Sequence, residues 1–160
     1  MDSLVVYHSK FGNTKQLAEE IAKTFASEGN SRLLSLEELS VADLQSADLV
    51  VIGVPTHRMN LPQAVKEKFS SLPRRILRRV PIAAFDTSYK MSRWLAPFTA
   101  SRKVVSRLRR LGGKRIIPGE TFHVVGKEGP LYRGELARAS QWAEDVLSRS
   151  RKFVVKRTKK

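Results

Sequence analysis

The first residues able to do chemistry form a polar loop, residues 8–14 with the sequence HSKFGNT, between an apolar run and an amphipathic segment. The first turn of a helix has unpaired backbone N–H groups and partial positive charge, so the start of the amphipathic segment can bind an anion. The hydroxyls of Ser9 and Thr14 add donors, and Gly12 lets a ligand approach the backbone closely. The loop therefore predicts a phosphate site, although a Gly-Asn-Thr turn can also serve only as a helix cap.

Other kinds of site do not fit the residues around this loop. A Walker loop requires Gly-Lys-Ser/Thr before its helix, and no such triplet follows. A phosphoryl-accepting receiver domain has carboxylates at the end of its first strand, and this strand has none. The chain contains no Gly-x-Ser-x-Gly elbow of the hydrolase type. His8 and His123 stand alone without metal-ligand spacing, which argues against a metal site.

Apolar periodicity predicts the strands and helices that position the loop. Strands are predicted over residues 4–7, 32–36, 48–54, 80–85 and 114–118, and helices over residues 14–28, 62–71, 97–111 and 131–149. Residues 121–125 fit either an extra edge strand or an irregular excursion. Alternation of strands and helices indicates an α/β fold in which helices cover both faces of a five-stranded parallel sheet.

Three polar loops follow predicted strands, at residues 8–14, 55–62 and 86–94. Prolines bound the second loop, and the third carries Asp86 and Thr87. In an open parallel sheet, ligands bind outside the carboxyl ends of the strands. We therefore expect the three loops to meet around one ligand.

Composition and net charge limit the classes of site and of binding partner that remain possible. The 160-residue chain has no cysteine, which excludes disulfides, thiolate catalysis and cysteine-held metal clusters. It shows no signal-peptide pattern and no apolar run near the roughly 18 residues of a membrane span, so we expect a cytoplasmic protein. Its net charge of +15 is uneven, with −3 in residues 1–67 and +18 in residues 68–160. Such asymmetry favours an acidic partner, an anionic membrane surface or nucleic acid.

Taken together, the three loops resemble those of the flavodoxin family. The stretch from His8 to Thr14 resembles the family's phosphate loop, the segment VIGVPTH at residues 51–57 resembles the strand and loop beside one face of the flavin, and residues 85–89 fall at the second flanking loop. The resemblance implies a flavodoxin-like three-layer α/β/α sandwich with strand order 2-1-3-4-5. It also implies one domain over residues 1–148, followed by a basic tail over residues 149–160, and bound flavin mononucleotide (FMN).

Site residues follow from the same resemblance. It places the phosphate on Ser9, Thr14 and the backbone N–H groups of residues 10–14, and the ring between residues 55–58 and 86–89. Phe11 stands where the family commonly has threonine or serine, and His57 stands where it usually has an aromatic residue. The full predicted set of cofactor-binding residues is Ser9, Lys10, Phe11, Gly12, Asn13, Thr14, Pro55, Thr56, His57, Arg58, Asp86, Thr87, Ser88 and Tyr89.

Three functions remain open at this stage. The first is an electron carrier that docks on acidic redox proteins through Lys90, Arg93 and their neighbours. The second is a small FMN-dependent reductase acting on a quinone or a similar acceptor, a class that includes flavodoxin-like dehydrogenases of heme biosynthesis. The third is a flavin-free basic domain that binds nucleic acid or an anionic membrane. Because Arg58 and Lys90 lie in the ring-flanking loops, we also expect a higher reduction potential than in acidic flavodoxins.

Overall fold

The computed structural model describes residues 1–57, 59–90 and 93–158 and shows a parallel sheet between two layers of helices. The strands are β1 (Asp2–Tyr7), β2 (Asn30–Ser35), β3 (Leu49–Pro55), β4 (Pro81–Ser88), β5 (Lys114–Arg115) and β6 (Glu120–His123). The α-helices are α1 (Asn13–Ala26), α2 (Val41–Ser46), α3 (Gln63–Ser71), α4 (Ala100–Arg110) and α5 (Glu135–Thr158), and a 3-10 helix spans Arg93–Phe98. None of the helices in the described ranges is long and apolar enough to cross a membrane.

The strand order β2-β1-β3-β4-β5 confirms the predicted topology. A sixth strand, β6, also pairs in parallel with β4, so residues 120–123 form a strand rather than an irregular excursion. The two short strands divide one edge of β4 between them. β5 pairs with Pro81 and Ile82, whereas β6 pairs with residues 85–88.

Pairing with β6 explains why β4 is longer than predicted. The sequence pattern ends this strand at Phe85 and assigns residues 86–94 to a loop, but the structure continues the strand to Ser88. Asp86, Thr87 and Ser88 are polar. The extended part of the strand pairs with β6 on one side and, through Asp86 and Thr87, with β3 on the other, and both partners are about thirty or more residues away in the sequence. The prediction of a loop over residues 86–88 is therefore wrong.

Two other bounds differ from the predictions. β5 covers only Lys114–Arg115 instead of residues 114–118, and Pro118 has no N–H with which to continue the ladder. Helix α5 begins at Glu135 rather than residue 131 and continues to Thr158 rather than ending near Arg149. Neither glycine nor proline interrupts residues 135–158, so no sequence signal stops the helix at the predicted place. The division at residue 148 into domain and tail stays a prediction.

Each face of the sheet has its own apolar core because successive strand side chains point to opposite faces. Val5 and Val51 face α1 and α5, whereas Val6 and Ile52 face α3 and α4. On the α1/α5 side, the rings of Phe85, Phe122 and Trp142 meet edge to face with centroids 5.9 to 6.3 Å apart. These buried layers fix the carboxyl ends of β1, β3 and β4 relative to one another.

Candidate functional site

A groove of about 290 Å³ lies at the carboxyl ends of β1, β3 and β4. It is lined by Ser9, Lys10, Phe11, Asn13, Thr14, Pro55, Thr56, His57, Thr87, Ser88, Tyr89, Val124 and Lys127. The structure thus brings most of the predicted site residues together. Among the described lining residues, two are lysines and none is acidic, so the groove favours an anionic ligand.

The phosphate loop presents open donors at the start of α1. Gly12 adopts a φ of 93°, a left-handed conformation that favours glycine, and its N–H donates to the hydroxyl of Ser9 at 3.0 Å. Within the described ranges, no acceptor pairs with the backbone N–H groups of Lys10, Phe11, Asn13 or Thr14. Four free donors at a helix N-terminus form a site that fits an anion.

Thr14 connects this loop to β4. Its side chain is buried, and its Oγ1 lies 3.0 Å from Oγ1 of Thr87. The two hydroxyls form one hydrogen bond between them, so one oxygen retains its proton for another acceptor. The pair fixes the first turn of α1 against the carboxyl end of β4.

The second loop is a tight turn after β3. His57 and Asn60 exchange backbone hydrogen bonds of 3.0 and 2.8 Å. From α4, the ammonium group of Lys103 donates to the carbonyl of Met59 at 2.5 Å and to Oδ1 of Asn60 at 3.2 Å. Arg58 is a predicted site residue in this turn, and it lies outside the described residues. These contacts hold His57 at the mouth of the groove.

Asp86 does not line the groove, and its predicted place beside the ring is wrong. Its side chain is fully buried on the α3/α4 side of the sheet. There it accepts a hydrogen bond from the hydroxyl of Thr56, a second from the hydroxyl of Thr121 at 2.7 Å, and a third from the N–H of Ala100 at 3.2 Å. Alternation along β4 explains the difference, because neighbouring residues face opposite sides. Asp86 instead positions Thr56, which does line the groove.

Burial has the largest effect on the pKa of the Asp86 carboxyl. Removal from solvent raises the pKa of Asp86 above its ordinary value, although hydrogen bonds from Thr56, Thr121, Ser101 and the backbone of Ala100 act in the opposite direction. The N-terminus of α4 points its first N–H at the carboxylate, an arrangement that suits negative charge.

The sequence predictions missed Val124 and Lys127, which lie on the segment after β6. Asn13 donates to the carbonyl of Glu128 at 3.1 Å, so this segment touches the phosphate loop directly. The possible strand at residues 121–125 could have indicated them. If that segment is a parallel strand, the residues that follow it lie at the carboxyl end of the sheet, next to the groove.

A partly exposed ion-pair network anchors this segment to α5. The carboxylate of Glu135 accepts the N–H of His123 at 2.6 Å and pairs with Arg138, which also binds Glu120 at 2.6 Å. Burial alone raises the pKa of Glu135, but the hydrogen bonds from Arg138 and His123 outweigh it and lower that pKa overall. The network fixes the end of β6 beside the groove.

Comparison with known proteins shows what kind of domain this is. The family model for Flavodoxin matches residues 5–142 of the chain. NADPH-dependent diflavin oxidoreductase 1 from Emericella nidulans is 31% identical over 140 residues, which cover 79% of this chain and 21% of that protein. The chain therefore spans about a fifth of the length of that curated relative.

Two solved structures agree with the fold. A flavodoxin from the domain Archaea superimposes with a TM-score of 0.74 at 18% identity, covering 94% of this chain and 99% of the other. Flavodoxin 2 from Bacillus cereus gives a TM-score of 0.75 at 18% identity, covering 92% and 99%.

The donors of the groove fit the cofactor of this family. The free N–H groups at the start of α1 can bind a phosphate, and hydroxyl and aromatic side chains near Thr56 and Tyr89 are groups that can contact a planar ring. FMN carries both parts. Because the family model matches most of the chain and the observed topology agrees with it, the chain belongs to the flavodoxin family and binds FMN.

Proposed function

We propose that this protein carries electrons through FMN and docks on acidic redox partners at the mouth of the groove. The supporting observation is the charge of the described groove lining, which contains Lys10 and Lys127 and no acidic side chain. Complementary charge increases the rate of encounter with an acidic partner and suppresses encounter with a basic one.

The proposed cofactor contacts follow the geometry of the groove. The free N–H groups of Lys10, Phe11, Asn13 and Thr14 hold the phosphate together with the hydroxyl of Ser9. Thr56, His57 and Tyr89 flank the ring. Charge-assisted hydrogen bonds to a phosphate dianion are stronger than neutral ones, so the phosphate loop supplies much of the affinity. When bound, FMN supplies the one- and two-electron chemistry, and the chain supplies binding, orientation and local charge.

Two exposed aromatic side chains of the groove lining, Phe11 and Tyr89, offer apolar contact area to a partner. Trp94 and Phe98 are also exposed, on the 3-10 helix that follows β4 in the sequence. Lys90 lies beside Tyr89 in sequence, with its ammonium group 4.3 Å from the ring centre of Tyr132. Aromatic groups surrounded by cations favour a protein partner, since aromatic residues are enriched at protein interfaces.

The size of the groove supports a carrier over a reductase. The described groove has a volume of about 290 Å³, at the lower end of small-molecule sites, and we propose that bound FMN fills it and leaves little room for a second substrate. We propose an NADPH-dependent reductase as the electron source, by analogy with the name of the diflavin relative. The cytoplasmic location expected from the sequence stays a prediction.

Outer-sphere oxidants of opposite charge test the proposed docking. The FMN-loaded protein is photoreduced without oxygen and mixed with hexacyanoferrate(III) or with tris(phenanthroline)cobalt(III), each of which accepts one electron. Stopped-flow absorbance should show that salt slows the reaction with the anionic oxidant and accelerates the reaction with the cationic one.

The double variant K10Q/K127Q should lose much of this salt dependence, whereas K23Q/K66Q, which removes the same charge away from the groove lining, should retain it. Equal salt dependence for both oxidants would contradict docking by charge. Rapid steady-state reduction of a quinone by the protein with NADPH alone would favour the reductase instead.

A further inference from the structure

A large cluster of exposed cations lies at the opposite end of the sheet from the FMN groove. Eight exposed cations form what we call the amino-end arginine surface: Arg74, Arg75, Arg78, Arg79, Arg109, Arg110, Lys114 and Arg115. They come from the segment before β4, the C-terminal end of α4 and strand β5. β4 begins beside this surface at Pro81 and ends in the groove at Ser88, a separation of roughly 23 Å at the usual rise of a strand.

The cations of this surface lack counter-ions within the described part of the chain. No ion pair there involves any of the eight residues. Between Glu67 and Glu120 the sequence contains one acidic residue, Asp86. Its carboxyl is buried near the carboxyl end of β4, away from this surface. No described carboxylate forms an ion pair with these side chains, so solvent, salt or a bound anion would relieve much of their mutual repulsion.

The backbone under the surface is fixed rather than loose. Leu77 donates to the carbonyl of Leu111 at 3.0 Å, and Arg79 donates to that of Gly112 at 3.2 Å, so the segment before β4 is tied to the end of α4. Arg75 and Arg79 have φ values of 61° and 66°, a left-handed conformation that is uncommon for residues other than glycine. The chain therefore forms two similar turns, residues 73–76 and 77–80, and each turn contains one arginine pair of the RRxxRR sequence.

The dipole of helix α4 accounts for only some of the cations in this surface. The C-terminus of a helix favours cations in its last turn, which accounts for Arg109 and Arg110. The segment before β4 and strand β5 gain nothing from that dipole. Lys103, which belongs to the basic face of α4 in the sequence, is engaged with Met59 and Asn60 and is not part of the surface.

We propose that the amino-end arginine surface binds the phosphate backbone of duplex nucleic acid without sequence preference. Seven of its eight cations are arginines, whose planar guanidinium groups bind phosphate oxygens in pairs. Protein–nucleic acid interfaces are polar and strongly positive, whereas protein–protein interfaces have an apolar centre.

The absence of apolar anchors also argues against a membrane. No large exposed hydrophobic side chain belongs to residues 73–80 or 107–115 in the described structure. Surfaces that lie on a membrane usually insert aromatic or aliphatic side chains beside their cations. Because this surface is remote from the groove, nucleic acid and redox partners can bind at the same time.

The test uses the FMN-loaded protein and a fluorescein-labelled 20-base-pair duplex of mixed sequence. Fluorescence anisotropy gives the association constant between 50 and 200 mM KCl. Contacts to four or more phosphates should reduce the affinity about 100-fold over this range. The triple variant R74Q/R78Q/R109Q should weaken binding at every salt concentration and reduce the slope of log K against log salt by about 3 units.

The control K15Q/K23Q/K66Q removes the same net charge from other helices and should change the slope by less than 1 unit. Absorbance of bound FMN verifies that each variant is folded. Equal effects of the two triple variants would overturn the proposal, as would the absence of duplex binding at 50 mM KCl. Tighter binding to phosphatidylglycerol vesicles than to the duplex, lost in R74Q/R78Q/R109Q, would also overturn it and assign the surface to membranes.

Discussion

At the residue scale, the hydroxyl of Thr56 connects the groove to a carboxyl that solvent does not reach. One side of this residue belongs to the groove lining, and its Oγ1 donates to Asp86 and accepts the N–H of Ala100 at 3.0 Å. The buried carboxyl also binds Thr121, which does not line the groove. Both threonines donate to Asp86, but only Thr56 lines the groove. Comparing substitutions at the two positions therefore distinguishes an effect on the second loop from an effect on the stability of the fold.

We expect Thr56→Val to lower FMN affinity by on the order of tenfold and the free energy of unfolding by about 1 kcal/mol. Thr121→Val removes a comparable hydrogen bond and should cost similar stability while FMN affinity stays nearly constant. Fluorescence titration with FMN and urea unfolding measure the two quantities. A parallel loss of affinity in both variants would show that Asp86 acts on the fold as a whole.

The pKa of Asp86 predicts a particular pH dependence of stability. Because burial raises this pKa in the folded state, the native protein binds the proton more tightly than the unfolded chain does. The contribution to stability is present below the unfolded pKa near 3.8 and is lost as pH rises through the folded pKa.

Urea unfolding of wild type and Asp86→Asn between pH 4 and 8 tests this sign. The free energy of unfolding of wild type relative to the variant should fall as pH rises and then become constant. Taking the difference cancels carboxyls such as Glu135, whose lowered pKa acts in the opposite direction. A relative stability that rises with pH would contradict the burial argument.

At the element scale, the sequence predicts local periodicity well and long-range pairing poorly. The buried run of β3 and the helical spacing of Leu17, Ile21 and Phe25 give correct elements because each pattern is complete within one segment. The continuation of β4 through Asp86 involves pairing with both β3 and β6, which no local pattern contains. Thus the phosphate loop could be predicted from the sequence, whereas the burial of Asp86 and the approach of Lys127 to the groove could not.

Helix α5 gives a prediction at this scale. Among the side chains that the structure describes on this helix, the last buried ones are Val146, Leu147 and Ser150, while Phe153 is half-buried and Arg151 and Lys152 are exposed. Deleting residues 155–160 should therefore change the free energy of unfolding by less than about 1 kcal/mol, since surface changes rarely exceed this. Leu147→Ala should cost about 2 to 5 kcal/mol because it creates a cavity. Thermal unfolding distinguishes the two, and a comparable loss for both would indicate that the last turns pack on the domain.

At the scale of the whole molecule, cations lie at both ends of the sheet. Lys10 and Lys127 line the groove, and the eight residues of the amino-end arginine surface lie at the opposite end. The composition places the positive excess after residue 67 but does not show where in the fold those cations lie. The distance between the two groups of cations follows from the direction of β4. Its first residues pair with β5 at the arginine surface, and its last residues line the groove. Because a charge acts over about a Debye length, we expect the reduction potential of bound FMN to depend on the groove cations, Lys10 and Lys127, more than on the distant arginines.

We expect K10Q/K127Q to lower the midpoint potential of bound FMN. Each cation at about 6 Å in water contributes about 0.7 kcal/mol toward the anionic reduced flavin, which is roughly 30 mV per charge for the one-electron step that creates the anion and roughly 15 mV for the two-electron midpoint. Potentiometric titration measures the shift, and K23Q/K66Q serves as a control that should shift the potential far less. An equal shift in both variants would mean that net charge alone sets the potential.

The divided edge of β4 has a consequence for the timescale of local opening. β5 is bound through Lys114 and Ile116 to the first part of β4, and β6 is bound to the last part, so either strand can separate while the other stays paired. Amide hydrogen exchange should then be faster in the two-residue strand β5 than in β6. FMN should slow exchange in β6 alone, and an anion at the arginine surface should slow it in β5 alone, so the two ends of one sheet would report their ligands independently.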